Sequence, residues 1–409
     1  MDRRAFLSGI SLLALSACGG GGGTPTRGPE PDFPKAPNPG WDQWVADFLP
    51  RAQARGISQS TLDMAFRDAG YLPGAVERYQ NQTEFKRSLE DYLAIAASNE
   101  RVSQGKAAMS GYAGLLDAIE ARYGVDRDVI VAVWGLESFY GTRQGTAPVI
   151  SALSTLAYAS GRSGFYEDQL VAALKIVQRG DIAPTRMTGS WAGAMGQTQF
   201  IPTTYLAYAV DFAGDGKADI WSADPTDALA SAANYLKKSG WTKGQPWGVE
   251  VVLPSGFNTA LIGRGKGRSP SEWASMGVRA ATGGTVPDYG VASIIRPSGA
   301  SGPAFMIFNN FNVILRYNNA ESYAIGVGYL SDLLSGGPRL QASFPPDAQG
   351  LTQADRQRIQ QRLTALGFDT GGTDGVIGAK SEAAIRAFQA SRGLPVTGQA
   401  TPELLAALG

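Results

Sequence analysis

Few residue types in this chain could do chemistry. The 409 residues include no histidine and one cysteine, Cys18. This composition excludes Ser-His-Asp and Cys-His nucleophilic schemes and the common zinc sites, because they need histidine or several cysteines. General acid–base catalysis must therefore come from glutamate, aspartate, lysine or tyrosine.

One carboxyl group lies in an apolar setting. The stretch VWGLESFYG, residues 133–141, contains a single charged side chain, Glu137. The surrounding residues 126–140 predict an apolar helix that begins after Asp126 and stops at Gly141. Burial at the end of this helix would raise the pKa of Glu137, as a general acid near neutral pH requires.

The helical spacing supports this interpretation but leaves an alternative open. Ile130, Val133 and Trp134 share a face with Glu137 at helical spacing, so Glu137 is predicted to end a buried stripe. The same spacing allows a structural ion pair between Glu137 and an arginine such as Arg143 or Arg162.

An acidic segment resembles a calcium-binding loop. Asp211 and Asp215 stand at positions 1 and 5 of an EF-hand pattern, with Gly216 at position 6. Ala213 and Ser222 replace ligands at positions 3 and 12. The predicted ligands of a structural calcium are Asp211, Asp215, Asp219 and Asp227; a capped turn between helices is the alternative.

Composition limits the possible partners and the number of domains. Lysine plus arginine and aspartate plus glutamate both number 36, so no net charge attracts the chain to nucleic acid. With 44% apolar residues the chain is expected to fold, and its length predicts two to three domains. We expect a monomer with no required cofactor.

The first 18 residues predict a lipoprotein signal peptide. Arg3 and Arg4 precede a mostly apolar region, residues 6–17, which is too short to cross a membrane as a helix. The sequence LSAC then resembles a bacterial lipobox, which implies lipidation of Cys18; an ordinary signal peptide is the alternative. Export by the Sec or the twin-arginine route fits. Gly19 favours the periplasmic face of the outer membrane of a Gram-negative bacterium.

Two segments are predicted to connect folded parts. Residues 19–40 are rich in glycine and proline, which predicts a flexible tether. Residues 335–350 predict a linker between a large domain, residues 41–334, and a small one, residues 351–409.

The small domain is predicted to contain three helices. Ile359, Leu363 and Leu366 form an apolar face on the first, Ser381 caps the second, and Thr401 caps the third. The run LTALGFDTGGTDGVIGAKSEAAIRAFQASRGLPVTG resembles the peptidoglycan-binding module of bacterial wall enzymes. A generic three-helix bundle is the alternative.

The large domain resembles the membrane-bound lytic murein transglycosylase B family (glycoside hydrolase family 103). The resemblance rests on IVAVWGLESFYG, SALSTLAY, GSWAGAMGQTQFIPTTYLAYAVDFAGDGKADIW and DALASAANYLKKSGW. It implies a mainly α (α+β), lysozyme-like fold with a small strand-containing subdomain and a deep glycan cleft. It also implies that Glu137 is the lone acid/base and that some relatives bind calcium at the acidic loop.

The resemblance further implies the reaction and the substrate-binding residues. The β-1,4 bond between N-acetylmuramic acid and N-acetylglucosamine in peptidoglycan strands would break without water, leaving 1,6-anhydromuramic ends. The residues implied to face the glycan are Ser190, Gln199, Tyr235, Tyr317, Tyr323, Arg162 and, as a weaker match, Tyr92. Turn bonding for Ser190 and Gln199, and packing for the tyrosines, are the alternatives.

Two other functions stay open at this point. A hydrolytic muramidase would need a second carboxylate near Glu137, and the sequence offers no obvious helical partner. A peptidoglycan-binding lipoprotein without catalysis would not need the ESFYG and GQTQF elements.

Overall fold

The computed structural model describes residues 33–81 and 87–409, and within these ranges the chain is mainly helical. The predicted leader, Cys18 and most of the predicted tether lie outside them. The helices are α1 (Pro39–Ala54), α2 (Gln59–Phe66), α3 (Pro73–Gln80), α4 (Leu89–Ala96), α5 (Asn99–Gly111), α6 (Ala113–Tyr123), α7 (Arg127–Ser138), α8 (Val149–Ala159), α9 (Ser163–Arg179), α10 (Pro202–Tyr208), α11 (Thr226–Lys238), α12 (Pro270–Ser275), α13 (Asn309–Tyr317), α14 (Glu321–Leu334), α15 (Gln353–Ala365), α16 (Ala379–Ser391) and α17 (Pro402–Ala407). No helix in this part of the chain is both long and apolar enough to cross a membrane.

Helix α7 is the centre of one hydrophobic core and packs against α14. Residues 129–136 are all buried, so the prediction of a single apolar stripe ending at Glu137 was too narrow. A helix buried on all sides needs apolar residues all round. Asp126 occupies the predicted cap position, but its carboxylate accepts hydrogen bonds from Trp241 Nε1 and from the Gly244 amide.

The helix also ends earlier than predicted. Its last residue is Ser138, and the two residues that follow, Phe139 and Tyr140, take left-handed φ angles of 50° and 58°. The predicted stop, Gly141, therefore comes three residues after the end of the helix.

A second core surrounds α8 and α9, and the predicted tether partly packs against it. Phe33 contacts this core, the Ala36 amide donates to the Tyr71 carbonyl, and Asn38 caps α1. Residues 33–40 therefore belong to the folded domain, which corrects the predicted boundary at residue 40.

The predicted strand-containing subdomain is present. The strands are β1 (Ala147–Pro148), β2 (Thr188–Gly189), β3 (Gly248–Val252), β4 (Arg279–Ala280), β5 (Ser293–Ile295) and β6 (Ala304–Ile307). The first two pair with each other, and the rest form an antiparallel sheet in the order β4-β3-β6-β5. A small core that includes the fully buried Trp273 lies against this sheet.

The C-terminal domain contains the three predicted helices, with two local corrections. Ile359 and Leu363 are buried, but Leu366 is exposed because it follows the end of α15. Ser381 lies inside α16, where its hydroxyl donates to the Thr370 carbonyl; Gly378 holds the cap position. Thr401 caps α17 as predicted.

The predicted linker has no helix or strand, and it lies against the large domain. Leu340 and Phe344 pack on the α7 core, and the amides of Gln341 and Ala342 donate to the Glu250 carboxylate. The connection between the two domains is therefore attached to the large domain.

Candidate active site

Glu137 lies in the last turn of α7, where α14 passes beside it. Its Oε1 accepts a hydrogen bond of 2.5 Å from the Tyr323 hydroxyl. Burial raises the pKa of the Glu137 carboxyl to about 7, and the Tyr323 hydrogen bond opposes this rise by stabilising the carboxylate. A carboxyl with this pKa can give and take a proton near neutral pH.

The structural ion pair considered for Glu137 is not formed. Across residues 33–81 and 87–409, no arginine pairs with this carboxylate, and the groups that set its pKa are burial and Tyr323. Arg143 instead lies over the Phe139 ring, with 4.3 Å between its guanidinium carbon and the ring centroid.

The turn after Glu137 depends on glycine and on a buried arginine. A Cβ on Gly135 would come within 2.7 Å of the Tyr140 ring, so this position must be glycine for the turn to close. Arg101 donates from Nε to the Gly135 carbonyl at 3.1 Å and lies 5.0 Å from the Phe139 centroid. The Tyr140 hydroxyl donates to the Arg101 carbonyl. Two left-handed residues with large side chains cost about 1–2 kcal/mol each, so these contacts must offset that strain.

Arg101 is a charged residue in a buried position. It is 3% exposed, and burial lowers its pKa to about 10. Its side-chain hydrogen bonds go to the carbonyls of Gly135 and Ile95. Sequence reasoning missed this residue, because nothing in its surroundings along the chain marks it as a partner of α7.

The tyrosines predicted to face the glycan form a cluster beside Glu137. The rings of Tyr317 and Tyr323 stack at 6.4 Å, and Tyr235 lies 4.9 Å from Tyr317 in an edge arrangement. The hydroxyl of Tyr317 donates to the Thr198 carbonyl at 2.6 Å. Burial, followed by the nearby charge of Glu137, raises the pKa of Tyr317 and Tyr323, so both hydroxyls stay protonated as donors.

Tyr92 joins this cluster from α4. It is 7% exposed, and burial and then the charge of Glu137 raise its pKa. A Cβ on Gly326 of α14 would come within 2.6 Å of the Tyr92 ring and 3.5 Å of Leu136, the neighbour of Glu137. The structure therefore places the weakest of the predicted matches close to the catalytic candidate.

The loop GSWAGAMGQTQF contributes mainly turn contacts in this structure. Ser190 Oγ accepts from the Ala194 amide at 3.0 Å. Gln199 has a left-handed φ of 52°, and its side-chain amide donates to the carbonyls of Gly196 and Gln144. These contacts match the turn-bonding alternative, and the glycan-facing role of both residues stays a prediction.

Gln197 in the same loop fastens the loop to α7. Its Oε1 accepts from Trp134 Nε1 at 2.9 Å, and its backbone carbonyl accepts from the Ser138 hydroxyl at 2.5 Å. Sequence reasoning missed it, although it stands inside the GQTQF element.

Arg162 lies at the start of α9. Its guanidinium carbon is 4.7 Å from the Phe165 centroid, and its backbone amide donates to Ser160 Oγ. Its contact with the glycan stays a prediction.

The acidic loop brings together three of the four predicted calcium ligands. Oxygen atoms of Asp211, Asp215 and Asp227 lie within 4.8 Å of one another, and Asp227 is buried while the other two are exposed. Such oxygens suit a hard cation like calcium. Asp219 lies outside this group and accepts hydrogen bonds from the amides of Trp221 and Ser222. The grouped carboxylates also accept amide hydrogen bonds, Asp211 from Gly214, Asp215 and Gly216, and Asp227 from Phe212, Ala213 and Asp219. Three of the four predicted carboxylates are thus grouped as calcium ligands would be, and their bonds to backbone amides also match the capped-turn alternative.

A half-buried glutamate at a helix end, hydrogen-bonded to a tyrosine and close to further tyrosines in a mainly helical domain, is the arrangement expected of an acid/base in a lysozyme-like, glycan-cleaving protein. The chain belongs to the Transglycosylase SLT domain family, whose model matches residues 40–332. A peptidoglycan binding domain model matches residues 352–408.

Several relatives share this architecture. The membrane-bound lytic murein transglycosylase B of Escherichia coli K12 is 32% identical over 243 residues; the match covers 58% of this chain and 64% of that protein, less than two thirds of its length. The structure of SltB3 from Pseudomonas aeruginosa in complex with NAG-NAM-pentapeptide is 47% identical with a TM-score of 0.74, covering 91% of this chain and 100% of that one. The Escherichia coli lytic transglycosylase Slt35, solved in complex with calcium, is 28% identical with a TM-score of 0.61, covering 73% of this chain and 94% of that one.

Proposed function

We propose that this protein is a lytic transglycosylase that breaks the β-1,4 bond between N-acetylmuramic acid and N-acetylglucosamine in peptidoglycan without consuming water. The observation that carries the proposal is the half-buried Glu137 carboxyl in the last turn of α7, which has a pKa raised to about 7 and accepts a hydrogen bond from Tyr323. SltB3, a relative, has also been solved with NAG-anhNAM-pentapeptide, whose anhNAM unit is the kind of end that such cleavage leaves.

The same glutamate serves in both steps of this reaction. Protonated Glu137 gives its proton to the glycosidic oxygen, and that bond breaks with its electron pair going to the leaving sugar. The substrate's 2-acetamido oxygen stabilises the positive charge that develops at the anomeric carbon. The Glu137 carboxylate then takes the proton from O6 of the same muramic acid, and O6 closes the 1,6-anhydro ring. Ring closure is favoured because O6 is already tethered to the reacting carbon.

Tyr323 fits this cycle as a partner of the carboxylate. Its hydroxyl stabilises the form of Glu137 that exists between the two proton transfers, because a hydrogen bond to the charged form favours it. The cluster of Tyr92, Tyr235 and Tyr317 supplies flat, amphipathic surfaces of the kind that pack against sugars. Ser190, Gln199 and Arg162 belong to the same proposal as substrate-facing residues.

Hydrolysis is the main rival, and the neighbours of Glu137 argue against it. A hydrolase of the usual type needs a second carboxylate to activate water or to act as nucleophile. In the described part of the chain, the side chain that hydrogen-bonds to Glu137 is the neutral Tyr323 hydroxyl, so no carboxylate is in direct contact with it. The C-terminal domain would bind the wall and keep the cleft near its substrate.

Digestion of purified sacculi followed by mass spectrometry tests the reaction. We expect muropeptides with anhydro ends, each one water lighter than a reducing-end product. Reducing ends would identify a hydrolase, and sacculus binding without release would identify a non-catalytic wall protein. Tyr289→Phe, a change at an exposed residue of the strand-containing subdomain, serves as the unaffected control.

We also propose that Cys18 anchors the protein to the periplasmic face of the outer membrane of a Gram-negative bacterium. The residues LSAC after a short apolar region support this, as do Arg3 and Arg4 before it. Cys18→Ser should release the protein from the membrane fraction after export. Retention in that fraction of a variant whose leader has been cleaved would contradict lipid anchoring.

The acidic loop is proposed to hold a structural calcium through Asp211, Asp215 and Asp227. Added calcium should raise the unfolding temperature, because an ion that binds only the folded state stabilises it. Asp211→Asn should abolish this rise, whereas Asp224→Asn should keep it, since Asp224 bonds to Thr226 outside the cluster. An equal rise in both variants would contradict the assigned ligands.

A further inference from the structure

Arg356 on α15 joins the C-terminal domain to the large domain. Its side chain is 4% exposed, although it carries a charge. Two of its bonds cross between the domains: Nη2 donates to Glu90 Oε2 at 2.7 Å and to Asp91 Oδ1 at 3.0 Å. A buried arginine that bridges two domains needs an explanation beyond surface charge.

Every donor on this guanidinium has a partner. Nη1 donates to Asp347 Oδ2 and to the Leu351 carbonyl, and Nε donates to the Gly375 carbonyl at 2.7 Å. With the two bonds to α4, all five N–H groups are used, so the orientation of the side chain is fixed on both sides.

The two partners of Arg356 in the large domain lie in the first turn of α4, directly before Tyr92. This helix has eight residues, and Glu90 and Asp91 are the acids of its first turn. A helix this short has little stability of its own, so its position depends on what it packs against.

Tyr92 extends this connection to the cleft. Its ring and Leu136 of α7 both approach the bare backbone of Gly326 on α14, where a Cβ would come within 2.6 Å and 3.5 Å of them. A shift of α4 would therefore move Tyr92 relative to α14 and to the end of α7 that carries Glu137.

We propose that Arg356 is a positioning residue, through which the C-terminal domain holds α4 and keeps Tyr92 in place beside Glu137. The domain then contributes to turnover itself, in addition to binding the wall. This inference rests on the proposed function of Glu137. If Arg356 has this role, breaking its contact with α4 should lower kcat even on a substrate too small to reach the C-terminal domain.

The test uses the full-length chain and a soluble NAG-NAM disaccharide repeat without attached wall. The double variant Glu90→Gln/Asp91→Asn removes both charges on α4 but leaves the bonds of Arg356 to Asp347, Leu351 and Gly375. We expect its kcat on this fragment to fall about 3- to 10-fold, since small misplacements in a cleft slow the chemical step. We also expect a shift in the pH dependence of kcat. Binding to sacculi should be unchanged.

A matched control and a second readout keep the test decisive. Glu382→Gln breaks an exposed ion pair with Arg386 inside the C-terminal domain and should leave kcat unchanged. Amide hydrogen exchange should speed up in α4 of the double variant but not in the control, independently of any activity. Glu90→Gln alone, a milder change, should show the same effects at smaller size.

Unchanged behaviour of the double variant would overturn the proposal. If kcat, its pH dependence and α4 exchange in the double variant all match the wild type, Arg356 only tethers the domains and the proposal is wrong. A wild type that releases no anhydro product would instead overturn the proposed function, while the exchange measurement would still report on α4.

Discussion

Each end of the α7–α14 helix pair carries a carboxyl group with a raised pKa, but the residues around the two carboxyl groups differ. At one end, burial raises the pKa of Glu137 to about 7, and Tyr323 donates to its carboxylate. At the other end, burial raises the pKa of Asp332 to about 7, and Trp247 Nε1 donates to it at 2.9 Å. The same two helices thus hold two candidate acids.

The neighbours separate the two carboxyls. Glu137 adjoins the tyrosine cluster of Tyr92, Tyr317 and Tyr323. Asp332 bonds to a tryptophan that packs on Phe305 of the sheet and on Phe311 of α13, so it attaches the strand-containing subdomain to α14. A raised pKa therefore marks a buried carboxyl, and only its surroundings identify a working acid.

The largest expected effect is at Glu137. Glu137→Gln should lower anhydro-product formation at least about 1,000-fold, because the amide can neither give nor take the proton. It should also stabilise the fold above pH 7. Since the folded pKa is raised, the stability contributed by protonated Glu137 is complete near pH 4 and is lost as pH rises through about 7. Product release by mass spectrometry and thermal unfolding at several pH values check both expectations. Activity near that of the wild type would show that another group is the acid.

A smaller effect is expected when the partner hydroxyl is removed. Tyr323→Phe takes away the hydrogen bond that favours the carboxylate, so the pKa of Glu137 should rise above 7. The alkaline limb of kcat/KM should move to higher pH, with kcat about 10-fold lower. An unmoved limb would show that Tyr323 does not act on the titrating group.

A matched pair of glycine variants compares the two ends directly. Gly135→Ala would overlap Tyr140 beneath the turn after Glu137, and Gly328→Ala would overlap the Trp247 ring near Asp332. Both should destabilise the fold by about 1–3 kcal/mol, as overpacking does. Only Gly135→Ala should also lower kcat per folded molecule, which is the measured kcat divided by the fraction of protein that is folded under the assay conditions. Equal losses of kcat at both ends would contradict the separation of roles.

The smallest effect on activity is expected at Asp332. Asp332→Asn should keep kcat within about twofold, since the residue has no proposed contact with the glycan. It should raise stability at pH 8 by about 1–3 kcal/mol, because the wild-type carboxyl is ionised there against its burial. This gain should shrink as pH falls through about 7 and vanish near pH 3, below the ordinary aspartate pKa of 3.8, where both the folded and the unfolded carboxyl are largely protonated. Chemical denaturation at the two pH values measures it, and a loss of stability at pH 8 would contradict the burial argument.

The sequence was sufficient to predict α7 and the three C-terminal helices, but it predicted the residues at which helices end less accurately. The apolar run before Glu137 was enough to predict α7. The helical spacing of apolar residues and the cap residues of the C-terminal domain predicted its three helices. The reversal at Phe139 and Tyr140 could not be predicted, because large residues avoid left-handed φ unless distant groups stabilise it. Those groups are Arg101 and Gln197, which lie far from the turn along the chain.

The site itself was only partly predictable from residues. Histidine's absence reduced the candidates, and helix spacing placed Glu137 at the end of an apolar helix without excluding an ion pair. Family resemblance, not periodicity, selected Tyr323 and Tyr317, and the structure places both beside the carboxylate. Asp332 was missed because its burial depends on the packing of Trp247, which is 85 residues away in the chain.

The most direct test of the account is the pH dependence of kcat/KM on a soluble NAG-NAM fragment, for the wild type and for Asp332→Asn. In the proposed mechanism, Glu137 is the acid that governs cleavage, and its pKa is about 7. Both proteins should therefore lose activity through the same alkaline limb near pH 7. A limb that disappears or shifts in Asp332→Asn would transfer that role to the other end of the helix pair.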